Sequence, residues 1–319
     1  MKFGPVNSGV LTTDRPVGAN VFSGDHAALS FHSGRFALAA AVFLSELYNR
    51  PTAEAYENDA QTRLYTIRFE QSGLLRTFHL AAAFRLCSRL GIGAGLSADS
   101  GQFEMEFLED INAWGYKFTS TKSASLGGFS VNGGVYWEVS PSIRAALTFR
   151  TPSTLEAQTE TVDRYEAPLL ETDISIRGES NDSFKRPLVV GAGLTVKHSD
   201  RLRTAVDISW FRWSSYRAVW LGESPTRDFR DAVRISAGGE YLSEFRIFGK
   251  KAAAPFRFGV VYDPQPAMSP RSAYLSVAFG AGLEIDRLRI DLGALAGSAK
   301  DSDHRLTAVK ISLSCGYVF

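Results

Sequence analysis

From Phe129 the chain alternates for eleven residues, with Phe129, Val131, Gly133, Val135, Trp137 and Val139 on one side and Ser130, Asn132, Gly134, Tyr136 and Glu138 on the other. A period of two marks a β-strand with one apolar and one polar face. The same reading covers Phe78, Leu80, Ala82, Phe84 and Leu86 against His79 and Arg85, and Leu90, Ile92, Ala94 and Leu96 against Gly91, Gly93 and Gly95. Further alternating segments span 143–149, 190–196, 202–210, 233–241, 256–262, 275–283, 288–296 and 307–319. Several approach the roughly ten residues that a tilted strand needs to cross a bilayer. A soluble sandwich uses strands nearer five or six residues and turns its polar face outward. A soluble lipid-carrying β-protein would need its outward apolar faces covered, and nothing in the chain would cover them.

The connections repeat a second pattern. Tight turns fall at Cys87 to Arg89, Ser140 to Ser142, His198 to Asp200 and Ile285 to Asp286, while long polar stretches run Asp99 to Ser125, Thr151 to Arg186 and Ser214 to Asp231. Short turns at one rim and longer loops at the other are the habit of outer-membrane barrels. Counting back from a C-terminal strand that ends at the short-turn rim predicts about thirteen strands from about Arg35 onward, the first running downward to that rim. Gly24 to Phe31 then supplies an upward strand, giving an even count of about fourteen. The expected fold is all-β: one transmembrane antiparallel up-and-down barrel over 24–319. Residues 1–23, with Pro5, Gly9 and Pro16, read as an irregular leader, the remnant of a plug.

Composition narrows the function classes. The 28 Gly, 22 Phe, 11 Tyr and 5 Trp fit aromatic strands separated by turns better than a soluble enzyme. Lys plus Arg number 35 against 34 Asp plus Glu, so no basic excess exists to hold a nucleic-acid backbone. No run approaches the roughly 18 apolar residues of a membrane helix, and Met1 to Asn7 opens no apolar signal-peptide core. Cys87 and Cys315 lie far apart and read as unpaired. His26, His32, His79, His198 and His304 form no close pair, so neither a metal nor another cofactor is expected. His79 falls mid-strand and His198 in a turn, which leaves no nucleophile and base at one depth and argues against an enzyme. Gly91, Gly93 and Gly95 lie along a strand and do not make a dinucleotide fingerprint.

The last strand alternates Val309, Ile311, Leu313, Cys315, Tyr317 and Phe319. It is an amphipathic edge strand ending in an interfacial aromatic. The pattern resembles the terminal signature by which outer-membrane proteins are handed to the barrel-assembly machinery, with Tyr317 and Phe319 as its carriers. It implies residence in the outer membrane, among lipid and lipopolysaccharide.

Three longer stretches resemble the FadL/TodX family of outer-membrane transporters for hydrophobic compounds. They are Gly133 to Pro141 followed by Arg144 to Pro152, Asp207 to Tyr216 with its Trp213-Ser214 pair, and Phe256 to Pro264 with Pro266. The likeness covers about Gly128 to Phe319, with a weaker match over Thr77 to Leu96. That family carries an N-terminal hatch with an Asn-Pro-Ala-like motif, which does not occur here, so the resemblance implies a plug that is reduced or lies upstream of Met1. It also implies capture of a long-chain fatty acid or aromatic hydrocarbon at the rim and passage through a greasy lumen. Phe211, Trp213, Tyr216 and Trp220 are the candidate rim residues, against the alternative of an interfacial aromatic girdle. Arg144 and Arg150 could hold a carboxylate head group. Alternatively these arginines, with Arg203, Asp207, Arg257, Arg289 and Asp291, pair with one another as a polar lumen lining. The competing function is a non-transporting FadL-like barrel that binds partners in a secretion or surface-anchoring system. A greasy lumen with a lateral break would favour transport, and a polar one the partner role.

Overall fold

In a computed structural model the alternation becomes a single sheet of seventeen strands. Described are residues 24–59, 62–111, 115–221, 223, 224, 228–247, 249–269, 271–300 and 305–318. The strands are β1 (His26–Ser33), β2 (Phe36–Leu47), β3 (Arg50–Asp59), β4 (Thr62–Arg85), β5 (Leu90–Ile111), β6 (Tyr116–Ser140), β7 (Ile143–Arg150), β8 (Ser153–Ala167), β9 (Thr172–Arg186), β10 (Val189–Lys197), β11 (Leu202–Phe211), β12 (Arg217–Val219), β13 (Ala232–Ile247), β14 (Lys250–Pro264), β15 (Ala273–Ile285), β16 (Leu288–Lys300) and β17 (Arg305–Tyr317). Every pairing is antiparallel, so the expected all-β up-and-down architecture is the one observed. Among the described residues no helix is long and apolar enough to cross a membrane.

Leaving aside β3, β8, β9 and β12, thirteen described strands follow one another around the wall. Their apolar positions share one side. On β6, Phe129 and Trp137 stand more than half exposed on the outer face while Ser130 between them is buried. Leu80, Leu96, Phe149, Phe258 and Leu313 continue the same exposed outer belt on other strands. A belt of this extent on a soluble surface would be an aggregation hazard, whereas acyl chains solvate it.

Two sequence expectations change. The Asp99 to Ser125 and Thr151 to Arg186 stretches are not loops but strand: β5 and β6 continue past the wall as a hairpin, and β8 pairs with β6 and β9 above it. Polar and charged residues fill most positions of these stretches, so hydropathy contrast is confined to short runs such as Phe103 to Phe107. The direction of the first strands also reverses. Gly34, in the left-handed region (φ 58°), makes a tight turn between β1 and β2 at the short-turn rim. β1 therefore runs down and β2 up, the opposite of the expected order.

The protruding sheet is joined to the wall by the main buried cluster. Leu75, Ala124, Leu126, Leu155 and Ala157 pack together, with Tyr48, Phe103 and Phe184 against them. At this junction β4 passes so close to β5 that a Cβ on Gly73 would run into the backbone of Gln102 and Phe103.

Candidate functional site: the lumen face and its mouth

Alternation that puts Leu and Phe outside puts Gly, Ser, Ala and charged residues inside. Mid-wall, His79 on β4 lies across the wall and shares a 2.9 Å hydrogen bond between its Nδ1 and Ser97 Oγ. It can do so because the neighbouring position is Gly95, where a Cβ would collide with the imidazole and with Asn132. Gly193 makes the same kind of room for Asp207. Glycines beside polar side chains let those chains lie flat along the wall.

Toward the short-turn rim the lining is ionic. Glu240 on β13 receives Arg257 Nε at 2.7 Å and Arg203 Nη2 at 2.5 Å, and Arg257 Nη1 continues to Asp291 at 2.5 Å. Arg289 meets Glu284 at 3.5 Å and Arg144 meets Glu138 at 3.3 Å. A recess of about 380 Å³ opens among Arg144, Lys197, Arg203, Glu240 and Arg289. Each of these arginines thus meets a carboxylate: Arg257 pairs with Asp291 among the residues singled out in the sequence, the other partners are Glu240 and Glu284, and Arg144 pairs with Glu138.

At the opposite end of β7, Arg150 lies half-buried within electrostatic reach of Arg186, Asp99 and Glu46. The two arginines singled out in the sequence thus lie at opposite ends of one strand. The mouth is organised by Asp99, whose side chain is 2 % exposed. Thr77 Oγ1 and Arg186 Nη2 both donate to it, and Arg186 Nε donates to Ser153 Oγ at 3.1 Å. Beside this network Tyr48 donates to Glu46 at 2.9 Å, and burial, with the Glu46 charge adding, pushes its phenol well above the ordinary tyrosine range.

The rim aromatics divide into two clusters. Trp213 and Tyr216 meet at a tilt with ring centroids 5.7 Å apart, with Phe229 at 6.2 and 5.0 Å from them. Trp220 sits apart, 5.9 Å from Phe103 and 5.7 Å from Phe184, and anchors the 212–231 connection onto the buried junction. Phe211 ends β11 half-buried and enters neither cluster among the described residues. Phe103, Phe184, Phe229, Asp99 and Arg186 escaped the sequence reading because they fell in stretches taken for loops. The alternation of Phe103, Met105 and Phe107 with Gln102, Glu104 and Glu106 was the available signal. Tyr317 is on the outer face of β17 and more than half exposed, while Phe319 lies outside the described residues. Cys87 and Cys315 are free and exposed. Among the described residues no group of His, Cys, Asp and Glu is arranged to hold a metal ion.

The fold is similar to that of solved outer-membrane channels. The monoaromatic hydrocarbon channel CymD superposes with a TM-score of 0.67 at 16% identity, covering 92% of this chain and 82% of that one. The Pseudomonas putida toluene transporter TodX gives 0.67 at 14% identity, covering 97% and 87%. A Pseudomonas aeruginosa FadL homologue gives 0.61 at 14% identity, covering 92% and 77%. At such identities the likeness is one of fold, and the chain has the FadL-like barrel architecture. A search of curated protein sequences found no match. The family model BamG matches residues 13–299, from ahead of β1 into β16, and the chain belongs to the BamG family.

Proposed function

We propose that this barrel works in the outer membrane as a component of the barrel-assembly machinery, acting through the surfaces it presents rather than by conducting a greasy ligand. The family name associates the chain with that machinery. The observation that carries the reading is the polar lumen face. A site for hydrocarbons or fatty acids needs a predominantly apolar lining, whereas here the inward positions hold His79, Ser97, Asp207 and the Arg203–Glu240–Arg257–Asp291 ladder. The sheet beyond the wall supplies an extramembrane platform. Across β5, β6, β8 and β9 its outward row reads Glu104, Ser123, Glu160 and Glu179.

A second reading, diffusion of a hydrophobic small molecule through the barrel, is favoured by the fold shared with toluene and hydrocarbon channels and by the aromatic clusters at the mouth. The two separate on one experiment. Affinity-tagged chain is recovered from mildly solubilised outer membranes, and the purified barrel is tested in liposomes for toluene and fatty-acid uptake. Co-purification of barrel-assembly proteins, reduced when residues 154–185 are replaced by a short turn, with background uptake, supports the partner role. Saturable uptake without such partners supports transport.

A further inference from the structure

The protruding sheet ends on one side at β9. One flank of this strand pairs with β8, from Arg186 opposite Ser153 to Thr172 opposite Ala167, without a register shift. On the other flank β12 covers Ser183, Phe184 and Lys185, and among the described residues nothing pairs with the edge from Thr172 to Asn181. Asp173 to Glu179 are all exposed, with Ile174 at 50% and Ile176 at 55%. An open edge is a template for another strand, and proteins ordinarily blunt it with proline, lysine or a bulge. None of these occurs between Thr172 and Asn181.

Both faces of the sheet break off at this edge. On one, Phe118 and Tyr165, with ring centroids 4.7 Å apart, share a cross-strand row with Ile174, so an apolar row stops in the open. On the other, Glu179 stands directly opposite Glu160, and like charges so placed are destabilising. Among the described residues neither glutamate has a cation for partner. A recess of about 720 Å³ opens along their row between Glu104 and Glu179. We infer that β9 receives an extended segment of a barrel-assembly protein by strand addition, with a Lys or Arg opposite Glu179 and apolar side chains beside Ile174 and Ile176. This rests on the partner reading given above. Backbone hydrogen bonds supply the affinity and alternate side chains the selection. The added cation relieves the Glu160–Glu179 repulsion, and the apolar side chains continue the row that ends at Ile174. A second copy standing in the same membrane holds its own β9 at the same height, so it would bring Glu179 to Glu179 and Arg177 to Arg177.

In the full chain, a photoreactive benzoylphenylalanine is placed in turn at residues 173–178, cells are irradiated, and the attachment points are mapped by mass spectrometry after affinity isolation. Assembly of each variant is checked by heat-modifiable mobility. The expected adducts join one assembly protein, and their attachment points advance one residue along a single alternating segment for each residue advanced on β9. Glu179→Lys should leave the barrel assembled, since it removes a like-charge pair, yet lower recovery of that protein about fivefold. Reversal of the partner's Lys or Arg to Glu should restore it. Assembly proteins recovered without adducts in register, or recovered equally with Glu179→Lys, would overturn the inference and leave the partner reading standing. Adducts between two copies of this chain would overturn it by putting a second copy on the edge, and recovery of no assembly protein would overturn both.

Discussion

Arg186, the last residue of β9, donates to Asp99 on β5, eighty-seven residues earlier in the chain. One ion pair thus ties the end of the protruding sheet to the mouth of the barrel, on a carboxylate from which water is almost excluded. Removing one partner of a buried pair leaves the other charge uncompensated, at about 3–5 kcal/mol. Asp99→Asn is expected to destabilise the junction by about 3 kcal/mol, read by denaturant unfolding in detergent micelles. Pairing it with Arg186→Met should recover a large part of the loss, because the orphaned charge is then gone too.

Trp220 holds the 212–231 connection against Phe103 and Phe184. Trp220→Ala removes two ring contacts worth about 0.5–1.5 kcal/mol each, beyond lost burial. Faster amide exchange and proteolysis are expected within 212–231, with the exchange of β14 to β16 unchanged. Trp213→Ala should affect only the Tyr216 and Phe229 side of the mouth.

Gly95 is a close-approach position, and the crowding it avoids comes from the side chains of His79 and Asn132. Gly95→Val is expected to cost about 1–3 kcal/mol by overpacking. A second substitution, His79→Ala, should restore most of it. Equal loss in the presence and absence of His79 would show that Asn132, and not the imidazole, is the main obstacle.

The protruding sheet carries a titration signature. Tyr65 donates to Glu109 at 2.8 Å, and burial together with this charged acceptor pushes its phenol up to about 12. An unfolded tyrosine ionises near pH 10. A pKa raised by folding gives stability that is present below the unfolded value and lost as pH rises through the folded one. The stabilisation should therefore be complete at neutral pH and vanish between about pH 10 and 12. Comparison of the ultraviolet phenolate titrations of the wild type and Tyr65→Phe isolates this group, and Glu109→Gln should lower its midpoint.

How much of this was legible in the sequence depended on contrast between the two faces of each strand. Where one face meets lipid and the other water, as along Phe129 to Val139 or Phe256 to Tyr262, the period is plain and the strands lie where it places them. Where polar residues dominate, as over most of the outer halves of β6, β8 and β9, alternation carries little hydropathy contrast and strand reads as loop, and on β5 the contrast is limited to the run Phe103 to Phe107. The turn at Gly34 is two residues long and was passed over, which reversed the direction assigned to the first strands. The pairing of Arg257 with Asp291 was readable because both fall at inward parity, whereas Glu240 and Glu284, the partners of Arg203 and Arg289, had not been singled out. The Asp99 network was not, since nothing local announces that residues eighty-seven apart will meet.

The central claim, that a polar-lumen barrel acts through its partners and not as a conduit for greasy compounds, is tested most directly by affinity isolation of the intact chain from outer membranes, followed by identification of what comes with it. The account predicts stoichiometric recovery of barrel-assembly proteins, lost when the β8–β9 hairpin is removed while the barrel itself still assembles. Recovery of the barrel alone, together with saturable toluene uptake by the same preparation in liposomes, would contradict it.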